Sequence, residues 1–291
     1  MANILLLVVD SLRADHLSCY GYDKRTPNIE RLANEGTRYE NAWVEGSYTA
    51  ESIPFILSEY LYYQLRAKGY EFPAVIHSNP IITRYLEANK LDYVNIDLHT
   101  QKRFSRLRNL WGILRNGIYR GEARADTINT RALYVMEALG SPFFLCLWYM
   151  DIHAPFFPPY KTGIKDILLN RKYLKAVLAE TPNIGKGDLI RLIRNYDNEI
   201  SYFDSTLWKL LKAVPEDTHI ILTADHGEEF LENGNLGHHD KEIPELRHVP
   251  LIIKSPHNSP TIIEEPFSFK EFDQLILTLS STPSATEKEA P

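Results

Sequence analysis

An α/β fold with a mostly parallel central sheet and helices on both faces is predicted by three observations. Several aliphatic runs are too continuous for half-exposed strands, helical stretches separate them, and acidic residues directly follow two of them. Ile4 to Val9 is an unbroken apolar run with β-branched members, as expected of a strand buried on both faces. Pro73–His77, Phe143–Met150 and His219–Thr223 read as further buried strands. Thr26-Pro27 opens a short helix, with Thr26 as N-cap and Pro27 at the first helical position. Longer helices are expected over Ile53–Lys68, Thr127–Leu139 and Lys186–Val214. Strands alternating with helices imply βαβ units, and such sheets gather ligands beyond the carboxyl ends of their strands. Asp10 stands at one such end and the pair Asp225-His226 just past another, with residues 160–190 and 227–248 reading as loop-rich insertions around the same edge.

The 291 residues are 44% hydrophobic and 24% charged, enough to bury one large core. A single α/β domain is expected over residues 1–279. From 280 to 291 the sequence holds only Ser, Thr, Pro, Ala, Glu and Lys and reads as a disordered tail. Net charge is −6, so the chain as a whole has no general attraction for nucleic acid or an acidic membrane. Residues 102–124 depart from this balance. Seven cations, from Lys102 to Arg124, interleave with Leu107, Leu110, Trp111, Leu114 and Ile118. The spacing suits an amphipathic surface helix with solvated cations, or a contact with an anionic substrate, a lipid head group or a membrane surface. Cys19 and Cys146 lie far apart, which argues against a disulfide scaffold or a thiolate zinc site. The N-terminus lacks a basic region, and no apolar run is long enough for a membrane span; a soluble cytoplasmic protein is expected.

Asp10, Asp225 and His226 supply two carboxylates and an imidazole at strand ends. This donor set suits a divalent ion such as Mn2+, Mg2+ or Zn2+. Each residue alone also fits a helix cap or a turn.

The blocks Val9 to Leu17, Cys19 to Tyr22, Thr26 to Ile29, Gly36 to Ala42, Asp151 to Pro155, Tyr196 to Ile200, Thr223 to Glu228, Gly237-His238 and Val249 to Ile253 resemble, in order, those of sulfatase-family proteins of the alkaline phosphatase superfamily. The resemblance reaches from residue 3 to about 256 and implies metal binding by Asp10, Asp225 and His226. Aligning Gly46-Ser47-Tyr48-Thr49-Ala50-Glu51-Ser52-Ile53-Pro54 with the family's nucleophile segment places Thr49 at the nucleophile and metal position; Ser47 and Ser52 compete with it. A Thr hydroxyl is a weak nucleophile until a metal or a base lowers its pKa.

Two departures shape the reading. Sulfatases of this family oxidise a Cys or Ser to formylglycine, whereas Thr cannot yield that aldehyde. The resemblance therefore leans toward relatives acting on phosphate or phosphonate esters or phosphoglycerol head groups. Ser11 stands where two-carboxylate members have Asp, which favours one ion; a second would need ligands from Asp151, His153, His238 or His239. His153 and His238 fall where the family places substrate-facing imidazoles, His239 could replace His238, and Asn79 resembles a residue contacting an oxyanion. Arg13 and His16 are assigned to bracing the loop behind Asp10. The expected activity is hydrolysis of a small anionic ester. A transferase, a mutase and a non-catalytic binding module on the same fold are the alternatives. Residues 257–279 offer only a remnant of the family's usual C-terminal subdomain.

Overall fold

A computed structural model describes residues 1–70, 75–96, 123–159, 162–179, 182–256 and 258–282. The central strand β1 (Asn3–Val9) is buried at all seven positions, so the sheet is covered on both faces there. The other strands of this sheet are β2 (Thr37–Tyr39), β4 (Val75–His77), β5 (Tyr93–Asn95), β6 (Phe144–Tyr149), β7 (Thr218–Ala224), β10 (Leu251–Lys254) and β11 (Thr261–Ile263). They run in the order β11-β2-β10-β7-β1-β6-β4-β5. The five from β7 to β5 pair in parallel, while β10 lies antiparallel to both β7 and β2. The mostly parallel α/β sheet agrees with the fold class read from sequence. Short ribbons β3 (Ala42–Trp43) with β12 (Phe267–Ser268), and β8 (Glu229–Phe230) with β9 (Leu236–Gly237), lie outside it.

The helices are α1 (Pro27–Asn34), α2 (Thr49–Ile56), α3 (Glu59–Ala67), α4 (Pro80–Ala88), α5 (Ala125–Leu139), α6 (Ile164–Val177), α7 (Lys186–Ala213), α8 (Pro244–Arg247) and α9 (Phe272–Ser280). α1 and α5 pack on α7, whereas α9 packs on α2, α3 and β1.

Several expectations are corrected. The helix expected over 53–68 is two helices, because Leu57 leaves the helical region and Ser58 caps α3, its Oγ accepting from the Leu61 amide at 2.9 Å. Thr26 precedes α1, but the orphan amides of Asn28 and Ile29 bond to Asp204 Oδ1 at 3.0 and 2.8 Å. The stretch read as loop over 160–190 contains the fourteen-residue α6. Ser280, placed in the tail, is the buried last residue of α9. Residues 102–122 and 283–291 lie outside the described residues, so the surface-helix and tail expectations fall there. Arg124, the last cation of that basic stretch, is half-buried and ion-paired with Asp151 and Glu199.

Candidate active site

Strand register builds the site. Val9 of β1 lies opposite Ala224 of β7, so the next residues, Asp10 and Asp225, leave neighbouring strands side by side. Both carboxylates and His226 are fully buried, and the three residues bring ligand atoms within 4.8 Å of one another. Among the described residues this is the one group of acidic, His or Cys side chains with that geometry. The Ser11 amide (3.3 Å) and the His226 amide (3.0 Å) donate to Asp225 Oδ1, and Ser11 Oγ donates to Asp10 Oδ1 at 3.0 Å. Ser11 adopts a left-handed φ of 62°, a conformation uncommon outside Gly, Asn and Asp.

His226 Nδ1 lies 2.8 Å from Gly227 O. A carbonyl only accepts, so Nδ1 carries the proton. Burial, reinforced by the neighbouring His238, lowers the ring's pKa to about 4, so it is neutral and Nε2 is a lone pair. Nε2 faces Asp10 Oδ1 at 3.6 Å and Asp225 Oδ2 at 3.5 Å, and Asp225 Oδ2 is buried without a hydrogen-bond partner. Burial and the nearby Asp10 push the Asp225 carboxyl well above the usual carboxylate range. Three converging acceptors with too few protons among them fit a divalent cation.

Thr49 is the first residue of α2. Its side chain makes no cap; Oγ1 donates to Asp10 Oδ2 at 3.2 Å and lies 3.4 Å from His226 Nε2. Just past β3, Val44 exchanges bonds with Arg247, amide to carbonyl at 3.0 Å and Nε to carbonyl at 2.8 Å. Ser47 Oγ instead donates to Glu51 Oε2 at 3.3 Å and accepts from the Lys241 amide at 3.3 Å. Ser52 Oγ is buried without a partner.

The His238 ring lies 4.5 Å from that of His226 and 5.2 Å from that of His153. His238 Nδ1 bonds Glu228 Oε2 at 3.0 Å. Burial opposes the charge, but Glu228 outweighs it and raises the His238 pKa to about 9. Glu228, held by His238 and by the Tyr173 hydroxyl against its own burial, falls to about 2. His153 Nδ1 donates to Ala154 O at 2.7 Å. Despite its burial, Asp10 is held below its ordinary pKa, with His153, His226 and His238 the groups that lower it. Asn79 caps α4, Oδ1 accepting from the Ile81 amide at 2.8 Å, with Nδ2 3.3 Å from Met150 Sδ. His239 Nε2 is buried without a partner.

α7 clamps the loops that carry these groups. The Tyr196 hydroxyl donates to Ser11 O at 2.7 Å and accepts from the Arg13 amide at 3.0 Å. His16 Nδ1 meets Asp197 Oδ1 at 2.8 Å, and Arg13 reaches Glu228 O at 2.9 Å. Tyr196→Phe leaves two buried backbone groups unpaired and is expected to cost about 1–3 kcal/mol, read as a lower unfolding midpoint in urea; an unchanged midpoint would show that the clamp carries no load.

Glu199 Oε1 accepts from the Phe157 amide at 2.8 Å and Oε2 from Arg124 Nη2 at 2.7 Å, while Arg124 Nε lies 3.1 Å from Asp151 Oδ1. Asp151, a candidate ligand for a second ion, is thus engaged by Arg124. Burial, partly offset by Arg124, raises Asp151 to about 6 and Glu199 to about 7. Raised carboxyls contribute stability that is full below their unfolded pKa values, 3.8 and 4.5, and is lost as pH rises through about 6 and 7. Glu199→Gln is therefore expected to flatten the fall of Tm between about pH 4 and 7; an unchanged slope would contradict this assignment.

Glu228, Tyr173 and Glu199 carry supporting roles that the sequence did not reveal. The available signal was Glu228 itself, an acid two residues past a ligand and ten before His238. Such an acid needs a partner once buried.

A family model described as Sulfatase matches residues 2–281. No curated protein matched. Among solved structures, the phosphonate monoester hydrolase of Agrobacterium radiobacter shares 18% identity at a TM-score of 0.70, over 97% of this chain and 74% of that one. The soluble domain of lipooligosaccharide phosphoethanolamine transferase A from Neisseria meningitidis gives 16% and 0.67, over 98% and 90%. The C-terminal periplasmic domain of EcEptC from Escherichia coli, in complex with Zn, gives 15% and 0.66, over 97% and 83%. Identities this low speak for the fold alone. The family match over nearly the whole chain makes this protein a member of the sulfatase family.

Proposed function

We propose that the chain is a metal-dependent hydrolase of phosphate, phosphonate or sulfate esters, phosphorus esters favoured, working through a covalent ester on Thr49. The observation that carries this reading is the Thr49 hydroxyl, 3.2 Å from Asp10 and 3.4 Å from His226 Nε2 inside the converging acceptor set. One divalent ion, Mn2+, Zn2+ or Mg2+, held by Asp10, Asp225, His226 and Thr49, would supply a lowered hydroxyl pKa and charge neutralisation at the reacting oxygens.

The chain's own groups do the rest. Asp10 Oδ2 holds the Thr49 proton. Thr49 Oγ1 bonds to phosphorus while the bond to the leaving alkoxide breaks in line. His238, kept cationic by Glu228, protonates the leaving oxygen or steadies a non-bridging one, and His153 takes the other task. His239 Nε2, buried without a partner, is offered to a further substrate oxygen, and Asn79 offers the Nδ2 hydrogen that does not face Met150 Sδ. Water then cleaves the Thr49 ester and restores the hydroxyl. Thr49 in place of an oxidisable Cys or Ser favours phosphorus over sulfate chemistry, and the likeness to a phosphonate monoester hydrolase supports the same choice.

A second reading, transfer to an acceptor alcohol, is favoured by the likeness to a phosphoethanolamine transferase domain. The test is turnover of matched aryl phosphate monoester, phosphate diester, phosphonate and sulfate with each ion, with and without glycerol. Metal-dependent cleavage of a phosphorus ester supports the hydrolase, and glyceryl product supports transfer. Absence of metal-dependent turnover with all four contradicts the proposal.

A further inference from the structure

α6 turns two unlike faces outward and inward. Its inner face is fastened beside the catalytic edge: Asn170 exchanges 2.8 Å bonds with both backbone groups of Phe156, and the Tyr173 hydroxyl donates to Glu228. Asp166, the one acid of the helix, is buried and bonded to Arg191 at 2.7 Å.

The outer face is different. At the helical 100° per residue, Ile164, Leu168, Arg171, Lys175 and Leu178 fall within an arc of about 80°. Ile164, Leu168 and Leu178 are 78%, 58% and 89% exposed. Arg171 and Lys175 are exposed between them, Lys165 and Lys172 flank them, and no acid shares the face. The Lys172–Asp188 ion pair, at 2.6 Å, joins it to the start of α7, where Ile190 is 59% exposed. Six Ile and Leu side chains are exposed among the described residues, and four of them are here. Residues 164–194 hold seven Lys and Arg against three Asp and Glu, in a chain of net charge −6.

We propose that this face is a docking surface for an anionic lipid bilayer. Isolated exposed aliphatics are ordinary, but a cluster of them set among cations, with no acid on the α6 face and Asp188 beside it paired with Lys172, is the composition of a helix lying in a membrane interface. The aliphatic groups enter the acyl boundary, and the flexible Lys and Arg side chains reach the head-group phosphates. A nucleic acid would use the cations and leave four aliphatics in water. A second copy meeting this face isologously would bring like charges together. Among the described residues no helix is long and apolar enough to cross a membrane, so the contact is peripheral. The inference stands apart from the reaction proposed above.

The test is co-sedimentation of the full chain with phosphatidylcholine vesicles, with or without phosphatidylglycerol, using native protein and the double variant Leu168→Glu/Arg171→Glu. Thermal unfolding of the variant checks that it folds; Lys175→Glu alone is the milder substitute if it does not. Expected is salt-sensitive binding to the anionic vesicles only, weakened on the order of tenfold in the variant. No binding to anionic vesicles overturns the proposal. Binding undiminished in the folded variant also overturns it and moves the contact elsewhere, with residues 102–124 next to be tried. A concentration-dependent dimer that the variant abolishes, without vesicle binding, assigns the face to a second copy.

Discussion

Thr49→Ala is expected to lower kcat/KM for the favoured aryl ester by roughly ten-thousandfold, as removal of a covalent nucleophile does elsewhere. The same change should barely move Tm. Thr49 is 4% exposed, but its hydroxyl serves the carboxylate cluster and caps no helix. Its loss leaves Asp10 Oδ2 available to the ion. Thr49→Ser keeps the oxygen and is expected to keep most of the rate. Ser47→Ala and Ser52→Ala are the controls: the Ser47 hydroxyl is committed to Glu51 and Lys241, and neither serine bonds the ligand cluster. A large, selective loss in either, with Thr49→Ala still active, would move the nucleophile.

Metal removal is the second large effect. Without an ion, Asp10 and Asp225 face each other fully buried, with His226 Nε2 adding a third lone pair at 3.5–3.6 Å. Chelation should stop turnover, and readdition at about a hundred times Kd should return roughly 2.7 kcal/mol of stability, because the ion binds only the folded chain. That corresponds to a rise in Tm of roughly 5 °C for a chain of this size. Asp225→Asn removes a ligand carboxylate and replaces a carboxyl that burial beside Asp10 already disfavours ionising. The metal-free variant is therefore expected to be at least as stable as the metal-free native protein, yet to lose both the metal-dependent Tm rise and the activity. An equal Tm rise in the variant would place the ion elsewhere.

The Asp10–Asp225–His226 cluster was legible because parallel strands in register deliver the residues past their ends to one place. Ile4–Val9 announced itself by an unbroken aliphatic run and Ile220–Ala224 by a mostly aliphatic one, and Asp10 and Asp225 followed from them. The strands the sequence hid are short: β2, β3, β5, β8, β9, β11 and β12 have two or three residues each and β10 four, too few for a period to show. α6 was hidden for another reason. Its buried stripe includes Asp166 and Asn170 while its exposed face carries Ile164 and Leu168, so apolar and polar positions do not sort by side. Residues 53–68 read as one helix because their apolar content runs on past Ser58, whose capping bond needs the fold to be seen. The Asp204 cap on α1 and the Glu228–His238 pair are of the same kind: 176 and 10 residues separate the partners, and spacing alone does not reveal them.

The most direct measurement is the intact mass of the native protein, acid-quenched within the first turnovers on an aryl phosphorus ester with its divalent ion, followed by fragmentation to locate the modified residue. One phosphoryl or phosphonyl group is expected on Thr49, absent from Thr49→Ala. Steady turnover with an unmodified Thr49, or a group found on Ser47 or Ser52, would contradict it.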